Sequence, residues 1–199
     1  VTAALVRSDV TFGALFVRGA SPAEVAAHLD ALDEATRLQQ VRAFPRARIM
    51  ALFDWAEHAL DLDGLCPADG QPHLVSGRNS TPMFPYFTKR MMRRPGEAEG
   101  VGHNLQMWSW ISGPGYFVAR DSAEHGGAIF DYYRLPTWAP EGWPKIKPNT
   151  GLIAGPSFGQ MIDLNRRVSR DVIVGRALKK GKVLAHYVVT RVSRSPHGG

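Results

Sequence analysis

In four strand-like stretches of this chain, a carboxylate, amide or imidazole stands two residues from apolar or aromatic neighbours. Successive side chains of an extended strand alternate between faces, so residues two apart share one. Asp131 then shares a face with Ile129, Tyr133 and Leu135, and Asp163 with Met161 and Asn165. His186 falls with Leu184, Val188 and Thr190, and Asn104 with Gln106, Trp108 and Trp110. A carboxylate on an apolar face is costly to ionise, so its pKa rises and it can exchange protons near neutral pH. Asp131 and Asp163 are therefore the leading acid/base candidates, with Tyr133 and His186 as donors to a substrate carbonyl. Asn104, Gln106, Trp108, Trp110, Tyr116 and Trp138 are the ligand-contact candidates, the tryptophans by stacking on flat or unsaturated carbon. A structural use competes with each role. Asp131 and Asp163 have Arg134 and Arg166 close by in sequence for an outer-face ion pair, and cross-strand opposite charges stabilise sheets. Aromatic residues favour strands anyway, so the stretch 104–121 also fits an ordinary core.

Other chemistries lack their motifs. His28, His58, His73, His103, His125, His186 and His197 never fall at H-x-H or HExxH spacing, so no metal site is expected. The single cysteine, Cys66, allows neither an intramolecular disulfide nor a cysteine-based metal site. It lies in "GLCPADG", a turn at a helix end with no helix N-terminus to lower its pKa. P-loop, GxGxxG and GxSxG patterns are absent, which argues against nucleotide-dependent and α/β-hydrolase chemistry. No cofactor is expected.

The elements that must position these residues fall into two groups. "SPAE" at 21–24 reads as a capping box, with Ser21 as N-cap, Pro22 at the first helical position and Glu24 three residues on. Val25, Leu29 and Leu32 continue it as an apolar stripe. "DEATRLQQVRAF" repeats the pattern with Leu38 and Val41 before Pro45, and "RARIMALFDWAEHAL" sets Ile49, Leu52, Phe53 and Ala56 on one face. From His73 onward, Gly and Pro punctuate short runs rich in Val, Ile, Phe, Tyr and Trp. Strands are predicted at 73–78, 84–92, 101–111, 115–121, 127–135, 158–167, 171–178 and 182–192. Turns fit "SGPG" at 112–115 and "KKGK" at 179–182. Segment 136–157 holds five prolines and three glycines and is predicted to be a long ordered loop or lid. The fold class that follows is α+β, mainly β: an antiparallel lipocalin-like barrel or strongly curved sheet, preceded by about three short helices. At 199 residues the chain is read as a single domain, the helical segment 21–65 packing on a barrel over 73–194. A closed sheet of eight strands has room inside for one small ligand.

Charge is uneven. Residues 1–70 carry six basic and ten acidic side chains, although the whole chain is at +6. Arg78, Lys89, Arg90, Arg93 and Arg94 form one basic run, and Arg166 to Arg194 form another with only Asp171 opposing it. Such a rim suits a phosphopantetheine-bearing carrier protein or coenzyme A. Nucleic acid is the less favoured partner, because these charges cluster at turns rather than interleaving with the tryptophans. No run approaches the roughly 18 apolar residues of a membrane span. The start, VTAALVRSDVTFGALFVRGA, has no basic n-region, so a cytoplasmic location is expected.

The stretch "MIDLNRRVSRDVIVGRALKKGKVLAHYVVTR", residues 161–191, resembles the end of the GXWXG-type lipocalin-like small barrels. Asp163, Arg166 or Arg167, Val168, Asp171 and Gly175 are the matching positions, and the resemblance covers about thirty residues. The Gly-X-Trp-X-Gly signature itself is missing, with "GRNSTPMF" in the corresponding region. The resemblance implies a small barrel and carries no catalytic assignment. Together these readings point to a cofactor-independent enzyme of cyclase, isomerase or lyase type acting on an apolar small molecule inside a barrel. The alternative is a non-catalytic binder or carrier of such a ligand.

Overall fold

A computed structural model describes residues 10–56, 58–82, 84–105, 113–149 and 159–195. Its helices are α1 (Phe12–Val17), α2 (Pro22–Ala31), α3 (Glu34–Ala43), α4 (Ile49–Trp55) and α5 (Leu62–Leu65), with a 3-10 turn at Arg46–Arg48. Side-chain caps start four of them. Thr11, Ser21, Asp33 and Asp61 each accept a hydrogen bond from the backbone N–H three residues on, which satisfies a donor the helix cannot. Glu24 does not close the expected capping box, because it turns to Arg18 instead.

Eight strands follow: β1 (His73–Asn79), β2 (Tyr86–Met92), β3 (Gly100–Leu105), β4 (Phe117–Ser122), β5 (Gly127–Asp131), β6 (Met161–Arg167), β7 (Val172–Lys179) and β8 (Lys182–Val192). Every neighbouring pair is antiparallel, and β1 pairs with β8 from Leu74↔Val192 to Asn79↔Tyr187, so the sheet closes. Closure leaves no edge strand to protect. The β7–β8 turn is Lys180-Gly181, both at positive φ, as a two-residue primed turn requires. Of the "SGPG" turn, Ser112 lies outside the described residues, and the Pro114 carbonyl accepts from the Asn104 N–H.

Two apolar cores lie on opposite faces of this wall. The inner one joins Phe87, Phe117, Phe130, Tyr187 and Val189 to Leu62, Leu65 and Cys66, which stop one end of the barrel from α5. The outer one packs Phe12, Val25, Leu29, Val41, Leu52 and Phe53 on Val172, Val174 and Val188. Strands β7 and β8 are thus covered on both faces, which is why "VIV" and "YVV" read as continuous apolar runs. Arg37 of α3 stitches the layers together. Its Nε donates to Thr190 Oγ1 at 3.0 Å, and its guanidinium lies 3.3 Å from Asp171.

The Trp-Pro segment, expected as a long ordered loop or lid, is described as far as Asn149, and residues 150–158 lie outside the described set. Residues 138–144 run along the outside of β2 and β3, and the buried Asn149 donates to the carbonyls of Tyr116 and Tyr132. The Arg94 guanidinium stacks on Trp138 at 3.7 Å, Arg90 faces Trp143 at 5.6 Å, and the Tyr116 hydroxyl donates to the Pro144 carbonyl at 2.6 Å. The segment is a strap on the barrel's flank, held by cation–π contacts to alternate outward residues of the β2 end.

Candidate functional site

Strand alternation sends Lys89 of β2, Asn104 of β3 and Asp163 of β6 into the lumen, where they meet Tyr132, the residue after β5. The register is explicit: Lys89 pairs with Asn104, and Asp163 pairs with both Phe130 and Ala177 on the inner face. The Lys89 ammonium donates to Asn104 Oδ1 at 3.1 Å and to the Tyr132 hydroxyl, and it lies 3.1 Å from Asp163 Oδ2. Its three N–H donors are therefore all engaged. Five rings surround it, with centroids 5.1 to 5.7 Å from Nζ: Phe87, Phe117, Phe130, Tyr132 and Tyr187. Two inward glycines make room for two of these rings. A methyl group at Gly102 would fall 2.3 Å from Phe117, and one at Gly175 would fall 2.0 Å from Tyr187.

The polar groups of the cage are held from behind. Asn104 Nδ2 donates to the Gly115 carbonyl at 3.0 Å and to the Tyr132 oxygen at 3.2 Å. Tyr187 donates to Asn165 Oδ1 at 2.7 Å, and Asn165 Nδ2 is spent on the carbonyls of Ala128 and Asp163. One atom stands apart: Asp163 Oδ1 is buried with no hydrogen-bond partner.

Burial sets the protonation balance. It pushes the Asp163 carboxyl up, against the pull of Lys89. It pulls the Lys89 ammonium down, but the Asp163 charge and the Tyr132 oxygen outweigh it and hold the ammonium above its ordinary value. Burial pushes the Tyr132 hydroxyl up to about 12 and that of Tyr187 well above its usual value. The lumen therefore combines a fixed cation, a carboxylate with one bare oxygen, and two hydroxyls that keep their protons. That is the equipment for moving a proton within a carbon skeleton and steadying the negative charge that develops.

The expected site residues do not all converge here. Asp163 and Asn104 lie in the cage. Asp131 is on the opposite face: it pairs in register with Val118, is bound by Arg120 at 2.9 and 3.0 Å, and accepts from the Tyr133 N–H. Asp131 and Tyr133 share a face as alternation predicts, but it is the outer one: Tyr133 is half exposed, while Phe130 and Tyr132 point inward. His186 is also outside the lumen, beneath α4, facing Phe53 with Nε2 2.9 Å from Arg176 Nε. Burial and Arg176 hold its pKa below the usual imidazole value. Tyr116 is buried against His103 under the strap, and Trp138 is taken by Arg94. Gln106, Trp108 and Trp110 lie outside the described residues. Among the described residues, no three His, Cys, Asp or Glu side chains gather to hold a metal ion, and no helix is long and apolar enough to cross a membrane.

No family model matches the chain, and neither a curated protein nor a solved structure does. The site therefore rests on its own geometry. Sequence reasoning gave no site role to Lys89 or Tyr132, and placed Asn165 beside Asp163 without one. The signal for Lys89 is the alternation Phe87-Lys89-Met91, a lysine between two inward apolar residues. It was masked by the basic letters on either side, which read as a surface run.

Proposed function

We propose that the chain is a cofactor-independent enzyme that moves a proton on an apolar small molecule held in the barrel, a reaction of isomerase, cyclase or lyase type. The observation that carries this reading is the bare, buried Oδ1 of Asp163 beside a saturated Lys89 ammonium. A buried ion pair is a poor device for stability alone, since well-packed apolar residues serve as well or better. A carboxylate with one oxygen anchored to a cation and the other uncovered is an oriented base. In this reading Asp163 Oδ1 takes a proton from a carbon next to a substrate carbonyl, and the Tyr132 hydroxyl donates a hydrogen bond to the resulting oxyanion. The Lys89 charge lowers the energy of that anion. Asp163 then returns the proton at another carbon, so nothing is consumed. Kinship with lipocalin-like small barrels is part of the same proposal.

The test uses the purified chain and an apolar extract of its host. Native mass spectrometry identifies a retained ligand, and incubation in heavy water then reads deuterium entering it. The wild type incorporates deuterium, whereas Asp163→Asn retains the ligand and incorporates none. A ligand held by the wild type without exchange replaces the enzyme with the carrier. Failure to retain any extract component removes both.

A further inference from the structure

We propose that the tip of the β7–β8 hairpin is a docking surface for an anionic lipid bilayer. The tip lies at the end of the barrel away from α5, since β8 runs from Lys182 there to Arg191, which donates to the α5 carbonyls. Residues 180–184 are all exposed, and β8 pairs with β1 only as far as Tyr187, so both sides of the ribbon stand in solvent. Val183 is 56% and Leu184 49% exposed. In a regular strand one of two successive residues would point inward. A bulge between Ala177 and Leu178 breaks the alternation, pairing Ala177 with Ala185 but Leu178 with Val183. Val183 thereby joins Leu178 and Ile162 in one outward row across three strands. The row ends at Asp131, whose charge Arg120 holds. The next row, Arg176 and His186, is where α4 packs, through Asp54 and Phe53, so the helical layer stops short of the tip.

A second apolar group stands on the neighbouring tip. Ser80 and His186 exchange hydrogen bonds of 2.8 and 2.9 Å, which sets the β1–β2 connection beside the β7–β8 turn. That connection carries Phe84, half exposed and at positive φ, a conformation that is strained for a bulky residue. The charge at this end has one sign. Lys180 and Lys182 are exposed, and among the described residues no carboxylate forms an ion pair with either. Neither 80–85 nor 179–184 contains an Asp or Glu. The partner must therefore offer negative charge and hydrocarbon together, and must fit around a projecting ribbon. An anionic bilayer does so: the apolar side chains enter the boundary below the headgroups while the lysines reach the phosphates. A second copy of the chain would set lysines against lysines, because a two-fold interface uses the same patch twice. This surface is independent of the lumen cluster, and neither proposal falls with the other.

The experiment sediments the full chain with vesicles of phosphatidylcholine alone, or with about one-third phosphatidylglycerol. The chain is expected to bind the anionic vesicles at least about tenfold more tightly, and salt is expected to weaken that binding. One lysine near such a surface is worth about fivefold, so Lys180→Asn/Lys182→Gln loses about twentyfold. Asparagine accepts the positive φ at position 180. Val183→Thr/Leu184→Ser, also at exposed positions and with no change of charge, loses about fivefold. Lys145→Gln/Lys147→Gln removes two exposed charges elsewhere and leaves the affinity nearly unchanged. Equal binding to the neutral vesicles, an equal loss in the Lys145/Lys147 variant, or unchanged affinity in both tip variants overturns the surface, as does no binding to either vesicle. Single-stranded DNA bound as tightly as the vesicles, and lost with the same two lysines, also overturns it, because the tip would then recognise any polyanion.

Discussion

At the scale of single residues, the lumen turns on the mutual dependence of Lys89 and Asp163, both almost wholly buried. Each neutralises a charge the aromatic cage would otherwise reject, so removing one strands the other. Lys89→Met is expected to destabilise the fold by about 3 to 5 kcal/mol, and Asp163→Leu by a similar amount. The double variant Lys89→Met/Asp163→Leu should recover most of the loss, because two apolar side chains suit a ring of aromatics. Urea unfolding of the four proteins closes the cycle, and strictly additive losses would show that the two charges do not support each other. The same residues mark how far the sequence could be read. Alternation sorts "DYYR" into two faces without saying which one is inside. The ladder decides, since Phe130 lies opposite Ala119 and Asp163, which turns Tyr132 inward and leaves Asp131 to Arg120. Asp163 was legible because Met161 and Asn165 share its face in a strand whose inward set is nearly complete in sequence.

At the scale of elements, the strap on β2 and β3 covers a histidine that sequence spacing left without a role. His103 pairs in register with Arg90, lies 4.8 Å from the Trp143 ring and 5.3 Å from Tyr116, and has a buried Nε2 with no hydrogen-bond partner. Burial pulls its pKa down to about 4, and the Arg90 charge acts in the same direction. In the unfolded chain the imidazole takes its proton near the usual 6.5, whereas in the folded one it stays neutral until about 4. The stability linked to its neutral burial is therefore whole above pH 6.5 and is lost as pH falls from there towards 4, by about 3 kcal/mol. Denaturant melts between pH 4 and 7 should show this slope in the wild type, reduced by close to one proton in His103→Gln. Equal slopes in the two proteins would mean the strap does not seal the ring. Proline content foretold an irregular segment here, and caps and stripes foretold α2 to α4. The strap's side of the barrel depends on Arg90 and Arg94 meeting Trp143 and Trp138 across some fifty residues, and no local pattern encodes that.

At the scale of the whole molecule, a closed wall with a core on each face is stopped at one end by α5. This helix is only four residues long, and its hold comes from partners on three strands. The Leu62 N–H donates to Asp121, the Ala128 N–H to the Leu60 carbonyl, and Arg191 to the carbonyls of Gly64 and Leu65. Cys66 follows directly and is fully buried, its sulfur 2.8 Å from where a methyl group on Gly100 would sit, and burial pushes the thiol up to about 12. A thiol in that state has almost no thiolate to react and no path to reagent. Because the latches are spread over strands that close on one another, withdrawing α5 breaks bonds to several of them at once, and opening of the stopper should be coupled to unfolding of the barrel. The rate at which an aromatic disulfide reagent labels Cys66 is then expected to match the global unfolding rate. Its dependence on urea should carry the full equilibrium slope, which scales with the surface exposed. A labelling rate well above global unfolding, with a shallow urea dependence, would instead make the stopper a door that opens while the barrel stays closed, and would give the lumen an entrance at that end.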